Sequence, residues 1–595
     1  MVCNSPTWKG ETLKKPTIFS HLEASSPAAQ LYNSQYGTTK STCVTAFDPA
    51  TGQLIDVVPV DTPQSISEKI AKATSAQVAW GQSSFKERRK LCRTLLEWTR
   101  KDADSIVKIS CRDSGKTSIL LRTILIRWAA VIDAYFGEIL PTLEKLRYMI
   151  EEGEKALTPD RRPTPLLMKH KVCEVRYEPL GVVAALVSWN YPFHNLLSPI
   201  IASLFAGNAI VIKPSEAVAW SSLEYIKSVK GVLKACNFDP ELVQVRPVYH
   251  NSLNILTSDP RLAHITFIGS VEVGRLVAEA AAKAGTQVCL ELGGKDPAIV
   301  LEDADLETFK ATFLRGVGQS GGQNCIGIER ILVHEKKYEA VVKEMEKVMK
   351  PLRCGSALAS WFADGEDKQK VDVGSMISDR SFDGLEKMIQ GAVKEGARVL
   401  VGGKRFEHPT WKEGYYFQPT LLVDVKKDMA IAQQECFAPI AAIYKFSTVD
   451  EAIEIANSTK YGLGASVFGR SKKACDYVIS RLKCGMVSSN DFATYYMNQS
   501  LPFGGHSAKR SGGYGRFAGP EGLRALCNLK SVVQDRFHGV IQTSIPPHLQ
   551  YPNVGDKPKA AWEFVQGVGE LGYGGSAGFL SGLGRMAKAA RGLDE

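Results

Sequence analysis

No apolar run in the 595-residue chain approaches the ~18 residues a membrane span needs. The longest clean runs, such as Gly181–Val187, have the length of buried strands instead. Met1–Gln30 shows neither an apolar secretory core nor an Arg-rich transit pattern, so no standard targeting peptide is expected. The 13 cysteines include no C-x-x-C pair and no His/Cys cluster at metal-ligand spacing. That excludes a disulfide framework, predicts no metal site, and favours a reducing, cytoplasmic compartment. Basic residues outnumber acidic ones 73 to 63, but no Lys/Arg block concentrates the surplus of +10. The richest basic stretch, Phe85–Lys90, also contains an acid and an apolar residue and reads as a solvated helix face, so no nucleic-acid partner is expected. There is no internal repeat. At 44% hydrophobic and 23% charged, the composition is that of a folded, soluble α/β chain rather than a disordered one.

What is present falls into blocks. Residues 1–44 are polar and weakly patterned and read as a loose leader; order is expected to begin near the turn Asp48–Gly52. Apolar residues at helical spacing predict helices over about Ser65–Ser110 and Ser118–Ile150. Three prolines within Thr158–Pro165 mark a connection rather than an element. Short β runs then alternate with helices. The predicted strands are Val182–Val187, Ala209–Ile212, His264–Phe267 and Gln287–Leu290, and the predicted helices are Pro199–Ala206, Ser221–Cys236 and Val273–Ala284. Alternation resumes through Ile331–Val333, Tyr338–Lys350, Asp450–Asn457 and Ala465–Phe468. Such alternation implies parallel sheets covered by helices on both faces.

Three stretches carry chemistry. Cys325 follows a glycine-rich turn, Gly321–Asn324, where backbone N–H groups and access favour a thiolate nucleophile. Glu291 closes the strand Gln287–Leu290 and precedes Gly293 and Gly294, a position from which a carboxylate can act as general base. Asn190 follows the strand Val182–Val187 and offers an amide N–H to an oxyanion. Taken singly, each has a plainer reading: a small buried thiol, a surface charge, a turn asparagine.

Together these stretches resemble the aldehyde dehydrogenase superfamily over roughly Phe47–Arg536. The general-base signature E-L-G-G-K stands intact as Glu291–Lys295. The nucleophile signature G-Q-x-C is Gly322–Cys325, with Arg330 after it, and Glu291 and Cys325 are separated by the family's 34 residues. Further matches in family order are Trp189-Asn190, Lys213–Glu216, Gly269-Ser270 with Gly274, Glu435-x-Phe437 and Pro502–Gly505. The resemblance implies a Rossmann-like NAD-binding α/β domain (45–157 and 179–292), an α/β catalytic domain (293–523) and a small β oligomerisation extension (158–178 and 524–536). It implies a homodimer or homotetramer that oxidises an aldehyde to a carboxylic acid through a thiohemiacetal and a thioester.

In that scheme Cys325 attacks the aldehyde, Asn190 and the Cys325 N–H hold the oxyanion, and Glu291 activates the hydrolytic water. NAD, with NADP as the alternative, is implied to bind through Trp189, Lys213, Ser215, Glu216, Gly269, Ser270, Gly274, Leu292, Glu435 and Phe437. A CoA-acylating relative is the rival reading, and Glu291 counts against it because that branch typically lacks this carboxylate.

Four residues depart from the family pattern without removing a reacting group. Ser188 replaces the usual proline before Trp-Asn, Ile268 a threonine, Gln319 an asparagine, and Ala438 the glycine of E-x-F-G-P. Ser356–Val371 is longer than usual, and His506–Gly515 carries about three extra residues beside the expected substrate mouth, which puts the surroundings of Phe503 in question. Beyond the family core, 537–595 forms an extension. Trp562, Val565, Val568 and Leu571 recur there at helical spacing, giving either a peripheral membrane-contacting helix or one packed on the protein itself. A resembling eukaryotic subgroup with such a tail is membrane-associated, so an endomembrane location is the alternative to a cytoplasmic one. Gly567–Gly572 spells the dinucleotide fingerprint G-x-G-x-x-G but follows no predicted strand, and it reads as coincidence.

Overall fold

The computed structural model describes residues 43–116, 133–245, 253–358, 371–507, 511–541, 544–551 and 553–594. The leader, most of the first half of the 118–150 helix, the centre of the long 356–371 connection and residues 508–510 of the extra loop lie outside them. The described chain divides into two compact units, Met1–Ala156 with Pro179–Cys527, and Leu157–Glu178 with Asn528–Glu595.

The first unit contains two large sheets. In the six-stranded sheet the order is Gly513–Tyr514, Gln287–Glu291, Leu262–Ile268, Val182–Val187, Ala209–Pro214, Val243–Val245. All neighbours are parallel except the short Gly513–Tyr514 strand, which runs antiparallel to Gln287–Glu291. The chain leaves Val182–Val187 in one direction through the sheet and returns to its other side at Leu262–Ile268, so the strand order reverses there. In open α/β sheets the carboxyl ends of the strands flanking such a reversal form the ligand crevice. The seven-stranded sheet runs Arg398–Val401, Thr420–Val423, Ile440–Phe446, Ile328–His334, Asp296–Val300, Gly464–Phe468, Met486–Ser489. Its core strands are buried on both faces, as their unbroken apolar runs require.

The expected strands and helices are present with longer ends. The helix predicted at Pro199–Ala206 begins at His194, with Pro199 inside it. The early start has a cause remote in sequence: the buried Glu138 carboxylate accepts the backbone N–H groups of Phe193 and His194 at 3.0 and 2.9 Å. It thereby caps a helix end that has no local side-chain cap. Local caps act where the sequence offers them. Ser84 and Glu87 form a reciprocal capping box before Phe85–Lys101, and Thr62 caps a helix opened by Pro63.

In the second unit, Cys527–Asp535, Lys171–Pro179 and Asp160–Arg162 form a three-stranded sheet. This corrects the reading of Thr158–Pro165 as pure connection. Asp160–Arg162 falls between Pro159 and Pro163, so all three residues keep their N–H groups and pair with Cys173–Val175. The extension forms a helical hairpin, Pro558–Tyr573 against Gly575–Asp594. Ala560, Ala561, Phe564 and Gly567 are buried, whereas Trp562 and Val565 are 61% and 46% exposed. Val568 and Leu571 are half-buried, so only the first half of the expected stripe faces outward. A Cβ at Gly567 would lie 2.7 Å from the Gly582 carbonyl, so glycine is what lets the two helices close. Arg585 joins Glu563 and Glu570 across them. Gly567–Gly572 lies within the first of these helices, without the strand a dinucleotide fingerprint needs.

Candidate active site

Glu291, Cys325 and Asn190 arrive from three directions at the floor of one cavity of about 440 Å³. Glu291 ends its strand, locked by pairing of Gly513 opposite it. The two glycines after it allow close approach on both sides. A Cβ at Gly293 would lie 2.0 Å from the Glu435 carboxylate, and one at Gly294 would lie 2.3 Å from the Cys325 carbonyl. Cys325 sits between the turn Gln319–Gly322 and the strand Ile328–His334. In that turn Gly322 has φ +73°, and a Cβ there would meet the Ala438 carbonyl at 2.1 Å. Asn190 Nδ2 donates to the Gln323 carbonyl at 3.1 Å, which ties its turn to the cysteine loop.

The Cys325 thiol and the Glu291 carboxyl face one cavity, and each shifts the titration of the other. Burial raises the Glu291 carboxyl to about 7, with the nearby Cys325 thiol opposing. Burial first, then the Glu291 carboxylate, push the Cys325 thiol well above its ordinary range. A base of near-neutral pKa thus shares the cavity with the candidate nucleophile.

The remaining expected residues line the carboxyl edge of the six-stranded sheet. Gly269 and Ser270 follow Leu262–Ile268, and the Ser270 side chain caps the helix Val271–Ala284, whose first N–H groups face an anion favourably. Gly274 packs against Leu292, where a Cβ would come within 2.5 Å of its side chain. Lys213, near the end of Ala209–Pro214, forms an ion pair with Glu216 at 2.9 Å, and Ser215 caps the turn Glu216–Val218. The other Glu216 oxygen, Oε1, is buried with no hydrogen-bond partner among the described residues. A buried acceptor left open in this way fits the hydroxyls of a ribose. Trp189 and Phe437 meet edge to face at 5.5 Å, and Glu435 accepts the Gly294 N–H at 2.9 Å.

Two buried acids that the sequence did not single out hold this frame. Glu329 pairs with Lys295 and accepts the N–H groups of Cys436 and Phe437, which fixes Phe437 at φ +51°. Glu138 pairs with Lys116, whose Nζ lies 4.3 Å from the centre of the Tyr191 ring. Neither lies in a motif, and no local signal marks them. Among the described residues no group of three or more His, Cys, Asp or Glu side chains could hold a metal ion.

The aldehyde dehydrogenase family model matches residues 36–532. The chain belongs to the aldehyde dehydrogenase family. Its reaction is the NAD(P)-dependent oxidation of an aldehyde to a carboxylic acid through a cysteine thiohemiacetal and thioester. An aldehyde dehydrogenase-like protein of Schizosaccharomyces pombe is 46% identical over 90% of this chain and 97% of its own length. A succinate-semialdehyde dehydrogenase [NADP(+)] of Mycobacterium bovis is 30% identical over 82% of this chain and 99% of its own. The crystal structure of a Mycobacterium tuberculosis aldehyde dehydrogenase complexed with NAD+ superimposes with a TM-score of 0.73 at 27% identity, covering 83% of this chain and 95% of that one.

Proposed function

We propose that Cys325, Glu291 and Asn190 carry out the oxidation. Glu291 takes the Cys325 proton as sulfur adds to the aldehyde carbon. The oxyanion of the thiohemiacetal is met by the Asn190 amide and the Cys325 N–H, donors that act where charge develops. Bound nicotinamide dinucleotide supplies the hydride acceptor. Glu291 sheds that proton to solvent, then deprotonates the water that opens the thioester and passes the second proton to the departing Cys325 sulfur as the carboxylic acid leaves. The convergence of Cys325, Glu291 and Asn190 on one cavity is the observation that carries this reading.

The dinucleotide would be held by the N-terminus of Val271–Ala284 behind Gly269, Ser270 and Gly274, with Leu292 packed on Gly274. The open Glu216 oxygen beside Lys213 and Ser215 would take the adenosine ribose. Trp189, Glu435 and Phe437 would frame the nicotinamide end. A 2′-phosphate beside Glu216 would be repelled, which favours NAD, while Lys213 offsets part of that repulsion. Phe136, Tyr191, Phe492, Tyr496, Phe503 and Phe517 line the cavity, and Phe503 is buried within it despite the extra residues that follow. Ile268 and Gln319, two of the four departures from the family pattern, also line it. This lining suits an apolar or aromatic aldehyde. A screen of aldehydes graded by chain length and ring content, followed at 340 nm with each cofactor, tests both choices. Preference for short anionic aldehydes, or faster turnover with NADP, would overturn them.

The domain division expected at residues 292 and 293 belongs to this proposal, as does assembly through the small sheet. Its edge strand Cys527–Asp535 leaves Leu529 and Val533 exposed, supporting a homodimer or homotetramer, which light scattering of the purified protein would test. No helix among the described residues is long and apolar enough to cross a membrane. The exposed Trp562, Phe579 and Leu580 support peripheral contact through the hairpin and, with it, a cytoplasmic protein at an endomembrane surface. Equal pelleting with liposomes by the full chain and by a variant ending at Arg536 would remove that idea.

A further inference from the structure

The Asn190 side chain is held by more than its contact with the cysteine loop. Its carbonyl Oδ1 accepts from the Ser188 hydroxyl at 2.7 Å and from Asn195 Nδ2 at 3.2 Å. Asn195 Nδ2 also donates to Ser188 Oγ at 2.9 Å, closing a triangle of three side chains. Asn190 and Asn195 are each about 5% exposed or less, and both line the cavity. The triangle occupies the acceptor side of the Asn190 amide, so its NH2 group must face the Gln323–Cys325 loop. One N–H is used on the Gln323 carbonyl, and the other remains for an oxyanion on the carbon that Cys325 attacks.

We propose that Ser188 and Asn195 are positioning residues for the oxyanion donor. They fix which way the Asn190 amide points, and by donating to its oxygen they draw electron density from the nitrogen and strengthen the N–H as a donor. Ser188 stands where the resembling family usually has proline, which has no hydroxyl to offer, so the device belongs to this chain's own sequence. Asn195 reaches it because the helix begins at His194, in the place Glu138 fixes. The inference rests on Asn190 serving as the oxyanion donor.

The test is the rate of the NADH burst, which reports formation of the thioester, in Ser188→Ala, Ser188→Thr, Asn190→Ala and the double variant Ser188→Ala/Asn190→Ala. Loss of one hydrogen bond to the amide should slow the Ser188→Ala burst about 5-fold with the aldehyde KM unchanged. Ser188→Thr keeps the hydroxyl and should stay within about 2-fold of the wild type. Asn190→Ala should lose ~10²–10³-fold, and adding Ser188→Ala to it should change nothing further, because the group it acts through is gone. A wild-type burst in Ser188→Ala overturns the proposal, as does the same 5-fold loss in both backgrounds, the mark of a merely structural residue. An Asn190→Ala burst at the wild-type rate sinks the oxyanion reading itself, and the proposal with it, by a separate observation.

Discussion

The burial of Glu291 makes the pH dependence of turnover a quantitative test of its role. An exposed glutamate titrates near 4.5, and this one is raised to about 7. The difference corresponds to about 3 kcal/mol of added cost for charging the carboxyl in the cavity. If its ionised form activates water, the deacylation rate follows the ionised fraction: about one tenth at pH 6, half at pH 7 and nine tenths at pH 8. Steady-state NADH production at saturating aldehyde and cofactor should therefore rise about ninefold from pH 6 to pH 8 and level off above that. The direction follows from the shift, because a carboxyl raised by burial is neutral below about 7 and can serve as a base only above it. In Glu291→Gln the burst should remain, slowed because the thiol has lost its proton acceptor. Turnover after it should collapse, since an amide cannot take a proton from water. A stopped-flow record over pH 5.5–9 separates the two phases. A flat wild-type profile between pH 6 and 8 would refute the assignment, as would a Glu291→Gln enzyme that turns over with the wild-type profile.

Three further outcomes follow. Cys325→Ala should form no NADH with any aldehyde while keeping its affinity for the dinucleotide, measured by quenching of tryptophan fluorescence. Glu138→Ala should lower stability in urea by about 3–5 kcal/mol, because it strips the cap from the His194 helix and leaves Lys116 buried without its acid. Gly567→Leu should open the helical hairpin, since its side chain would meet the Gly582 carbonyl and Met586, and limited proteolysis should then cut within 575–594. Its aldehyde oxidation rate should stay at the wild-type level.

The motifs legible in the sequence are those whose chemistry is local. A strand followed by Glu291 and two glycines, or a cysteine after a glycine turn, can be read from a few adjacent letters because each needs its neighbours for backbone approach. The alternation that gave the parallel sheets is local in the same sense. The helix at Pro199–Ala206 came out too short because its true start depends on Glu138, 56 residues before His194. The tail stripe of Trp562 and Val565 has helical period, but periodicity cannot say which face is covered. Small residues at Ala560, Ala561 and Gly567 turn out to make the tighter contact. At Cys325, composition reports the turn's backbone donors but not the carboxylates that other segments bring toward the sulfur.

The buried acids around the site divide by their partners. Glu138 and Glu329 each have a lysine and two backbone N–H groups to accept from, and they hold backbone: the start of the His194–Ala206 helix in one case, the Cys436–Phe437 turn in the other. Glu291 is buried as deeply but has no lysine partner, and its Oε1 has no hydrogen-bond partner among the described residues. Raised to about 7, it can exchange its proton in the neutral range. A lysine placed beside Glu291 would lower its pKa and make it a poorer base, while removing Lys116 or Lys295 would leave a structural acid unpaired. The division between base and scaffold is thus set by where the two lysines stand, and neither lysine touches the reacting carbon.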